Sequence, residues 1–315
     1  MTRQQLTIGV AAALAAGLMW GLVFVAPLLL PDYPPTLLTF GRYLAFGLVT
    51  LPIAWWQRVA LRRLTRADWW IAIKLSFVGN IIYYLALSAA IRLAGAPLPT
   101  LIIGTLPVVI AVCSNLGDRQ FSWARLLPSL ALIGLGLLCV NADQLARLNA
   151  DGAMAAYVSG AALAIVANAA WTWYPIHNAR WLRANPSHTS TTWATAQGIT
   201  TLPMAAVGLL ASIAYLKMTA DVRFAESLWG PQPLKFWLLM GVIGFSASWL
   251  GTLLWNIASK NTPTALTGQL IVFETLSALG YAYLVYARAP SAAEVAGIVL
   301  LVLGVIVGVR ALSRR

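Results

Sequence analysis

The stretch GQLIVFETLSALGYAYL, residues 268–284, indicates the fold, because it is apolar enough to cross a lipid bilayer and yet carries one acid, Glu274. The nearest other charges are Lys260 and Arg288, each fourteen residues away. At a rise of about 1.5 Å per residue, the carboxylate lies roughly 20 Å from either charge, near the middle of a hydrocarbon layer about 30 Å thick. A charge at that depth costs about 2.5–3.5 kcal/mol on insertion scales, so we expect Glu274 to face protein or water.

The composition is that of a polytopic membrane protein. Of the 315 residues, 60% are hydrophobic and only 10% are charged, with a mean hydropathy of +0.78. Soluble domains have about 25% charged residues. The net charge of +12 comes from short basic clusters between apolar runs, which argues against a nucleic-acid partner. Cys113 and Cys139 both lie in apolar runs, so we expect neither a disulfide nor a thiolate metal site.

Apolar runs of spanning length recur along the whole chain. They cover residues 6–30, 35–56, 69–91, 97–116, 124–142, 153–177, 189–216, 235–258, 264–286 and 292–311. The sequence therefore predicts an all-α polytopic membrane protein with ten transmembrane helices. The first run is too long for the core of a signal peptide, so we expect it to remain in the mature protein.

Basic residues predict the orientation of these helices. With a cytoplasmic N-terminus, fourteen of the 21 Lys and Arg residues fall on the inner side and six on the outer side, while Arg42 lies within a span. This division follows the positive-inside rule, so we expect both termini in the cytoplasm.

The ten helices divide into two five-helix halves, residues 1–145 and 150–315. Shifting the chain by 168 residues pairs Arg92 with Lys260 and aligns the apolar runs around them. Because five is odd, the two halves enter the membrane from opposite sides. The sequence thus predicts a five-plus-five inverted repeat around a central cavity, a construction that many secondary transporters use.

Short motifs resemble a known superfamily. The first, second and ninth helices contain MWGLVFV (19–25), FGRYLAFGL (40–48) and LIVFETLSALGYAYL (270–284). Together with ten spans and an internal duplication, these motifs resemble the drug/metabolite transporter superfamily, EamA-type. Within it, NIIYYLALSAAIRL (80–93) and AWTWYP (170–175) are most similar to the bacterial aromatic amino-acid exporters.

The resemblance implies a function and a set of partners. It implies a secondary transporter of the bacterial inner membrane that exports aromatic and other neutral amino acids by alternating access of its two halves. The expected partners are small-molecule substrates and membrane lipid, with no nucleic acid and no cofactor, and the chain could act as a monomer. An exporter of drugs and lipophilic cations is the alternative within the superfamily, and a structural membrane protein is the alternative outside transport.

Polar and aromatic residues inside the spans predict the cavity wall. Asn80 and Tyr83 share one face of the third helix, and Trp171 and Tyr174 share one face of the sixth. Aromatic side chains far from both membrane interfaces suit flat apolar ligands, although core packing explains them equally well. The predicted cavity residues are Trp20, Asn80, Tyr83, Trp171, Tyr174, Trp249, Asn256 and Glu274.

Several of these residues have two interpretations. Glu274 either binds a substrate ammonium or a proton, or fixes helix packing through a hydrogen bond, with Asn80, Tyr83 or His177 as its expected partner. Arg42 resembles the family's arginine in the second helix and would attract a substrate carboxylate, unless it snorkels to the outer surface. His177 and Gln269 complete the secondary candidates.

Prolines predict hinges and gates at Pro107, Pro175 and Pro263. Pro175 and His177 are expected to interrupt the sixth helix and free carbonyls for a polar ligand. The fourth and ninth spans both contain proline and glycine, and irregular segments at matching places in the two halves point to a transport site and its gates.

The sequence does not carry the motifs of an intramembrane enzyme. We find no Asp-rich diphosphate motif, HExxH, GxSxG, Walker loop or His/Cys metal spacing. We therefore predict no enzymatic activity, no catalytic residue and no metal. Inverted halves with one central acid also fit alternating access better than a continuous pore.

Overall fold

The protein is an assembly of helices, seen in a computed structural model that describes residues 2–94, 97–118, 122–140, 154–224, 227–287 and 289–313. The described residues of the first half form α1 (Arg3–Gly21, continued by Leu22–Phe24 and Val25–Leu29), α2 (Pro35–Trp56), α3 (Arg66–Ser76, Phe77–Ile82 and Tyr83–Ala94), α4 (Pro97–Gly104 and Leu106–Asp118) and α5 (Trp123–Val140).

The second half begins with two long, uninterrupted helices. Its described residues form α6 (Met154–Ala184), α7 (Ser190–Met218), α8 (Pro233–Ile243, Gly244–Leu250 and Gly251–Asn261), α9 (Thr264–Leu270 and Val272–Tyr286) and α10 (Ala292–Ser313). The predicted boundary between the halves, residues 145–150, lies outside the described residues, as do Met1, Arg119, Arg147, Arg288 and the last two arginines.

The helices have the length and composition of membrane spans. Among the described residues, six are long and apolar enough to cross a bilayer: Pro35–Trp56, Arg66–Ala90, Ala155–Ala184, Ser190–Met218, Pro233–Asn261 and Leu266–Tyr286. Trp123–Cys139 and Ala292–Gly308 are shorter apolar helices. The predicted all-helical, multi-pass membrane fold is therefore confirmed.

Local sequence signals set where the helices begin. The Thr65 hydroxyl accepts a hydrogen bond from the Asp68 backbone N–H (3.2 Å), and the Asp68 carboxylate accepts one from the Thr65 backbone N–H (2.8 Å), forming a capping box at the start of α3. Thr189 caps α7 in a similar way, through the Thr192 N–H (3.1 Å). At α2, Pro35 occupies the first helical position, where its missing N–H costs nothing.

Packing connects helices of the first half mainly to helices of the second. Helix α1 lies against α8 and α9, and α6 lies against α3 and α4. Helix α2 packs along α7, α5 packs along α10, and the second piece of α4 contacts the first piece of α9. The core of the molecule is therefore formed between the two halves.

Several of the described helices are irregular along their length, and α1 contains a 3₁₀ turn at Leu22–Phe24. Helices α3 and α8 each contain a π-helical segment, at Phe77–Ile82 and Gly244–Leu250. Helix α4 breaks at Thr105, just before Pro107, and α9 breaks at Ile271. The expected irregularity of α4 and α9 is thus confirmed, with Pro263 at the start of α9 as its N-cap.

The predicted interruption at Pro175 is wrong. Helix α6 runs from Met154 to Ala184 without a break and includes both Pro175 and His177. Helices in lipid tolerate proline where nearby groups satisfy the freed backbone. Pro175 withdraws only the donor that would reach the Trp171 carbonyl, four residues earlier, and the helix continues past it; Nδ1 of His177 lies 2.9 Å from the Trp173 carbonyl in the same stretch.

Glycines let helices approach closely where the two halves meet. A Cβ at Gly21 of α1 would lie 2.6 Å from the Ser277 Cβ and 2.9 Å from the Ala278 nitrogen of α9. On the other flank, Gly136 of α5 meets Leu301 and the Gly297 carbonyl of α10. Small residues therefore let α5 and α10 pack closely against each other.

Replacing Gly21 by alanine should destabilise the protein. The added methyl has to displace the α9 backbone, and overpacking of this kind typically costs about 1–3 kcal/mol. We expect a lower midpoint of thermal unfolding for Gly21→Ala in detergent. Gly280→Ala on α9 is the matched control, because nothing lies within 4 Å of its added Cβ; an equal loss in both variants would contradict the close approach.

Candidate functional site

A cavity of about 510 Å³ lies between the helices. It reaches the surface beside the α1–α2 loop, because Pro31 and Arg223, which line it, are exposed. Its lining brings together seven of the residues expected from the sequence: Trp20, Arg42, Asn80, Tyr83, Trp171, Tyr174 and Glu274. They come from α1, α2, α3, α6 and α9, so the cavity is formed by both halves of the chain.

Arg42 is the buried cationic group of the cavity wall, whereas Arg223 lies at the exposed mouth and pairs with Asp221. The Arg42 side chain is 8% exposed, so it does not snorkel to the outer surface. The Nε atom donates a hydrogen bond to the Ser248 hydroxyl (2.9 Å), and the guanidinium lies 4.9 Å from the ring of Tyr43 and 5.3 Å from that of Tyr84. These cation–π contacts and the hydrogen bond hold Arg42 in place beside the cavity.

Glu274 is the acidic group of the same cavity. It lies in the first turn of the helical piece that begins at Val272, directly after the break in α9. Glu274 is half-buried, and its carboxylate makes no hydrogen bond or ion pair with the part of the chain that the structure describes. Arg42 and Tyr83 line the same cavity. His177, one expected partner, lies elsewhere.

Aromatic rings of the wall contact one another. Trp171 stacks on Tyr174 (ring centroids 4.9 Å apart, 3° between planes) and on Tyr83 (5.0 Å, 23°). Trp20 meets Trp171 edge-on at 5.4 Å. The rings therefore serve both interpretations, since they line the cavity and also pack as a core.

One side-chain group of Asn80 is already hydrogen-bonded within the protein. Its side-chain amide donates to the Thr201 hydroxyl of α7 (3.1 Å), while the residue also lines the cavity. It lies inside the π-helical segment of α3, where the backbone is already irregular. The side-chain carbonyl of Asn80 is the group that remains for a ligand.

The structure places four expected residues away from the cavity lining. Trp249 is half-buried and stacks on Phe245 at 6.0 Å. Asn256 is fully buried and accepts a hydrogen bond from Asn178 (2.8 Å). His177 stacks on Trp173 at 4.1 Å, and the buried Gln269 lies against Gly308 of α10.

The cavity also contains residues that sequence reasoning did not select. Tyr43 follows Arg42 directly, Thr252 lies one turn after Ser248, and Tyr33 lies in the proline-rich α1–α2 loop. Polar residues within apolar helices were the available signal for Tyr43 and Thr252. Among the described residues, no group of three or more His, Cys, Asp or Glu side chains could hold a metal ion.

Comparisons with known proteins agree with this architecture. A family model described as the EamA-like transporter family matches residues 7–142. The inner membrane protein YtfF of Escherichia coli (strain K12) is 49% identical over 308 residues, covering 96% of this chain and 95% of that protein. The chain belongs to the EamA-like transporter family. The expected relationship to the drug/metabolite transporter superfamily is thus confirmed.

The structural comparison supports the fold of this EamA-like transporter. A solved crystal structure covers 97% of both chains with a TM-score of 0.73 and 20% sequence identity. Identity at this level shows a shared fold alone. Together with the family match, these similarities point to a membrane transporter rather than an enzyme.

Asn168 supports the broken helix of this EamA-like transporter. Its amide donates to the Ile102 carbonyl (2.6 Å) and to the Thr105 hydroxyl (3.0 Å), at the point where α4 breaks. Pro107 brings no N–H to the Ile103 carbonyl, so the regular ladder is incomplete here. A side chain of α6 therefore binds the backbone of α4 beside the break.

Replacing Asn168 by leucine should destabilise the α4 break. The substitution keeps a similar size but removes the hydrogen bonds to the Ile102 carbonyl and the Thr105 hydroxyl, each with a typical net value of about 0.5–1.5 kcal/mol, while the Thr105 N–H and hydroxyl remain as donors to the Ile102 carbonyl. We expect a lower midpoint of thermal unfolding of the purified protein. Ser212→Ala is the control, because that hydroxyl bonds only the Gly208 carbonyl of its own helix (2.8 Å); equal midpoints for the two variants would argue against the role of Asn168.

Proposed function

We propose that this EamA-like transporter is a secondary transporter that exports neutral amino acids, aromatic ones included, across the bacterial inner membrane. One observation carries the proposal: Arg42 and Glu274 line the same cavity without forming a salt bridge with each other among the described residues. A pair of opposite charges that are separated inside a membrane protein is suited to a ligand that carries both signs.

A free amino acid has the complementary charges. Its carboxylate would bind the Arg42 guanidinium, whose planar donors match a carboxylate well, and its ammonium would bind Glu274. Ser248 occupies Nε of Arg42, so the terminal nitrogens would face the ligand. Asn80 would add a polar contact from α3.

Size and surroundings support the same class of ligand. A cavity of about 510 Å³ falls in the range of small-molecule sites, which is roughly 300–1,000 Å³. Its apolar lining includes Val23, Leu38 and Leu87 beside the aromatic rings. The lining therefore offers apolar contacts to a side chain after the two charged groups have bound the backbone of the amino acid.

An exporter of lipophilic cations is the second candidate. The unpaired carboxylate of Glu274 and the aromatic rings favour it, because both attract organic cations. Arg42 disfavours it, since a buried guanidinium in the same cavity repels a cation that has no carboxylate. A purely structural membrane protein is the candidate outside transport.

Two features support an inverted repeat of residues 1–145 and 150–315 that works by alternating access. In this repeat α1, α3 and α4 correspond to α6, α8 and α9. The contact of α1 with α8 matches the contact of α6 with α3, and the contact of α1 with α9 matches the contact of α6 with α4. The π-helical segments of α3 and α8 also begin 167 residues apart, at Phe77 and Gly244, close to the shift of 168 found in the sequence. Ten spans would put both termini on the same side, which the positive-inside rule makes the cytoplasm, and a single chain would suffice.

Transport by purified protein in liposomes tests the function. Vesicles preloaded with phenylalanine or threonine should take up the labelled amino acid by counterflow, and ethidium should not replace either one. Protein-free vesicles supply the background. Uptake of ethidium without any amino acid would favour the cation exporter, and no uptake of any of the three compounds would reject both.

Substitutions of the two charged residues should separate recognition of the two ends of the substrate. Arg42→Gln should raise the threonine concentration that is needed to compete with the labelled substrate about 10- to 100-fold, which is the usual range for a lost charged hydrogen bond. The same variant should bind threonine and threonine methyl ester equally well, because the group that recognises the carboxylate is gone. Glu274→Gln should abolish discrimination against N-acetylthreonine instead. Arg62→Gln, on the exposed α2–α3 loop, is the control; loss of both preferences in one variant would contradict the assigned orientation.

A further inference from the structure

A cluster of buried polar side chains lies directly beneath the cavity. The Tyr174 hydroxyl donates to Oε1 of Gln197 (2.8 Å), and Nε2 of Gln197 donates to Oδ1 of Asn178 (3.2 Å). The same oxygen accepts from Nε1 of Trp193 (2.8 Å), and Nδ2 of Asn178 donates to Oδ1 of Asn256 (2.8 Å). These five residues, named here the closing cluster, connect α6, α7 and α8.

The closing cluster separates the cavity from the opposite side of the protein. Tyr174 lines the cavity, and Asn178 follows it by about one helical turn along α6. Asn178, Asn256 and Trp193 are completely buried, and Gln197 is 1% exposed. The cavity therefore ends at Tyr174, although α6 continues to Ala184, almost three turns beyond it.

Further contacts tie the same side together. Trp181 stacks on Trp193 at 3.4 Å and donates through Nε1 to the Asp68 carboxylate at the start of α3 (2.9 Å). Lys260, at the end of α8, donates to the His188 carbonyl in the α6–α7 loop. On this side, α6 is thus joined to α3 and the α6–α7 loop is joined to α8, while the cavity reaches the surface on the other side.

We propose that the closing cluster is the reversible barrier of this transporter, and that the Tyr174 hydroxyl couples the barrier to an occupied cavity. The inference rests on the proposed transport function, to which it adds the residues that close one side. Tyr174 belongs to both structures, since its ring stacks on Trp171 in the cavity wall and its hydroxyl binds Gln197 in the barrier.

The chemistry of the cluster suits a barrier that opens and closes. A neutral hydrogen bond within a protein adds only modest net stability, because water replaces each partner when the bond breaks. Amides and a hydroxyl can therefore be buried in one state and hydrated in the other at little cost. A barrier of apolar side chains alone would have to expose apolar surface to water in its open state.

Loss of the Tyr174 hydroxyl should make the barrier open more often. The reporter is Ser259→Cys, because Ser259 is 1% exposed on α8, one turn beyond Asn256, and its hydroxyl has no hydrogen-bond partner among the described residues. It is placed in the full chain after Cys113→Ala and Cys139→Ala. Adding Tyr174→Phe, which keeps the ring, should raise the rate of labelling by a small maleimide about 2- to 10-fold, as expected for one lost hydrogen bond.

Matched variants decide whether the effect belongs to the cluster. Thr195→Val removes a buried hydroxyl of α7 that bonds only the Thr191 carbonyl of its own helix (2.8 Å), and it should leave the labelling rate unchanged. Gln197→Met removes the acceptor of Tyr174 without touching the cavity wall and should raise the rate like Tyr174→Phe. Equal rates in Tyr174→Phe, Gln197→Met and Thr195→Val would overturn the proposal.

The labelling experiment is independent of the substrate. It needs no transported compound, so a failure of amino-acid counterflow would reject the proposed substrate and leave the barrier to be judged by labelling alone. Where an amino acid is transported, its addition should change the labelling rate of the Ser259→Cys protein by more than in the Tyr174→Phe variant. An equal response in both would reject Tyr174 as the coupling residue.

Discussion

Charge inside lipid-spanning helices is the constraint on which the rest of the structure depends. Lipid offers no hydrogen bonds, so Arg42 and Glu274 require polar surroundings that the helices themselves must supply. Ser248, Tyr43 and Tyr84 supply them for Arg42, and the cavity supplies them for Glu274. The space between the halves is therefore where both charges are accommodated.

The two ends of the molecule are held in different ways. At the end with the cavity mouth, the Tyr33 hydroxyl donates to the Trp229 carbonyl (2.7 Å) and accepts from the Gln232 N–H (3.0 Å), joining the α1–α2 and α7–α8 loops. Its ring stacks on Phe236 at 5.0 Å. The contacts of Tyr33 lie at the rim of the cavity and leave its mouth accessible. At the other end of the molecule, the hydrogen bonds of the closing cluster run through the centre of the helix bundle.

Much of the fold was predictable because hydropathy reports directly on lipid-spanning length. Every predicted apolar run corresponds to a helical segment, apart from run ends that fall at 141–142 and 153, outside the described residues. Within the site, Arg42, Asn80 and Glu274 were found because polar residues inside apolar helices are costly unless they face water or protein. The identity of such residues is visible in a sequence, whereas their partners are not.

The remaining errors have physical causes. Trp249 lies inside the π-helical segment of α8, so a regular helical period does not give the direction of its side chain. Asn256 and the cavity lie on different sides of Tyr174. This arrangement depends on how three helices pack together. Pro175 was expected to break α6, but one missing N–H is a small defect in a helix of 31 residues that is packed on several neighbours.

The π-helical segment of α3 has a consequence for how the wall is aligned. Each such turn accommodates one more residue than a regular helix, and a regular helix rotates by about 100° per residue. Without the additional residue in Phe77–Ile82, the following side chains, Tyr83 and Leu87 among them, would point about a quarter-turn away from the ligand space. Deletion of a single aliphatic residue from Phe77–Ile82 would leave the segment equally hydrophobic. It would nevertheless turn the side chains of one cavity wall away from the ligand space.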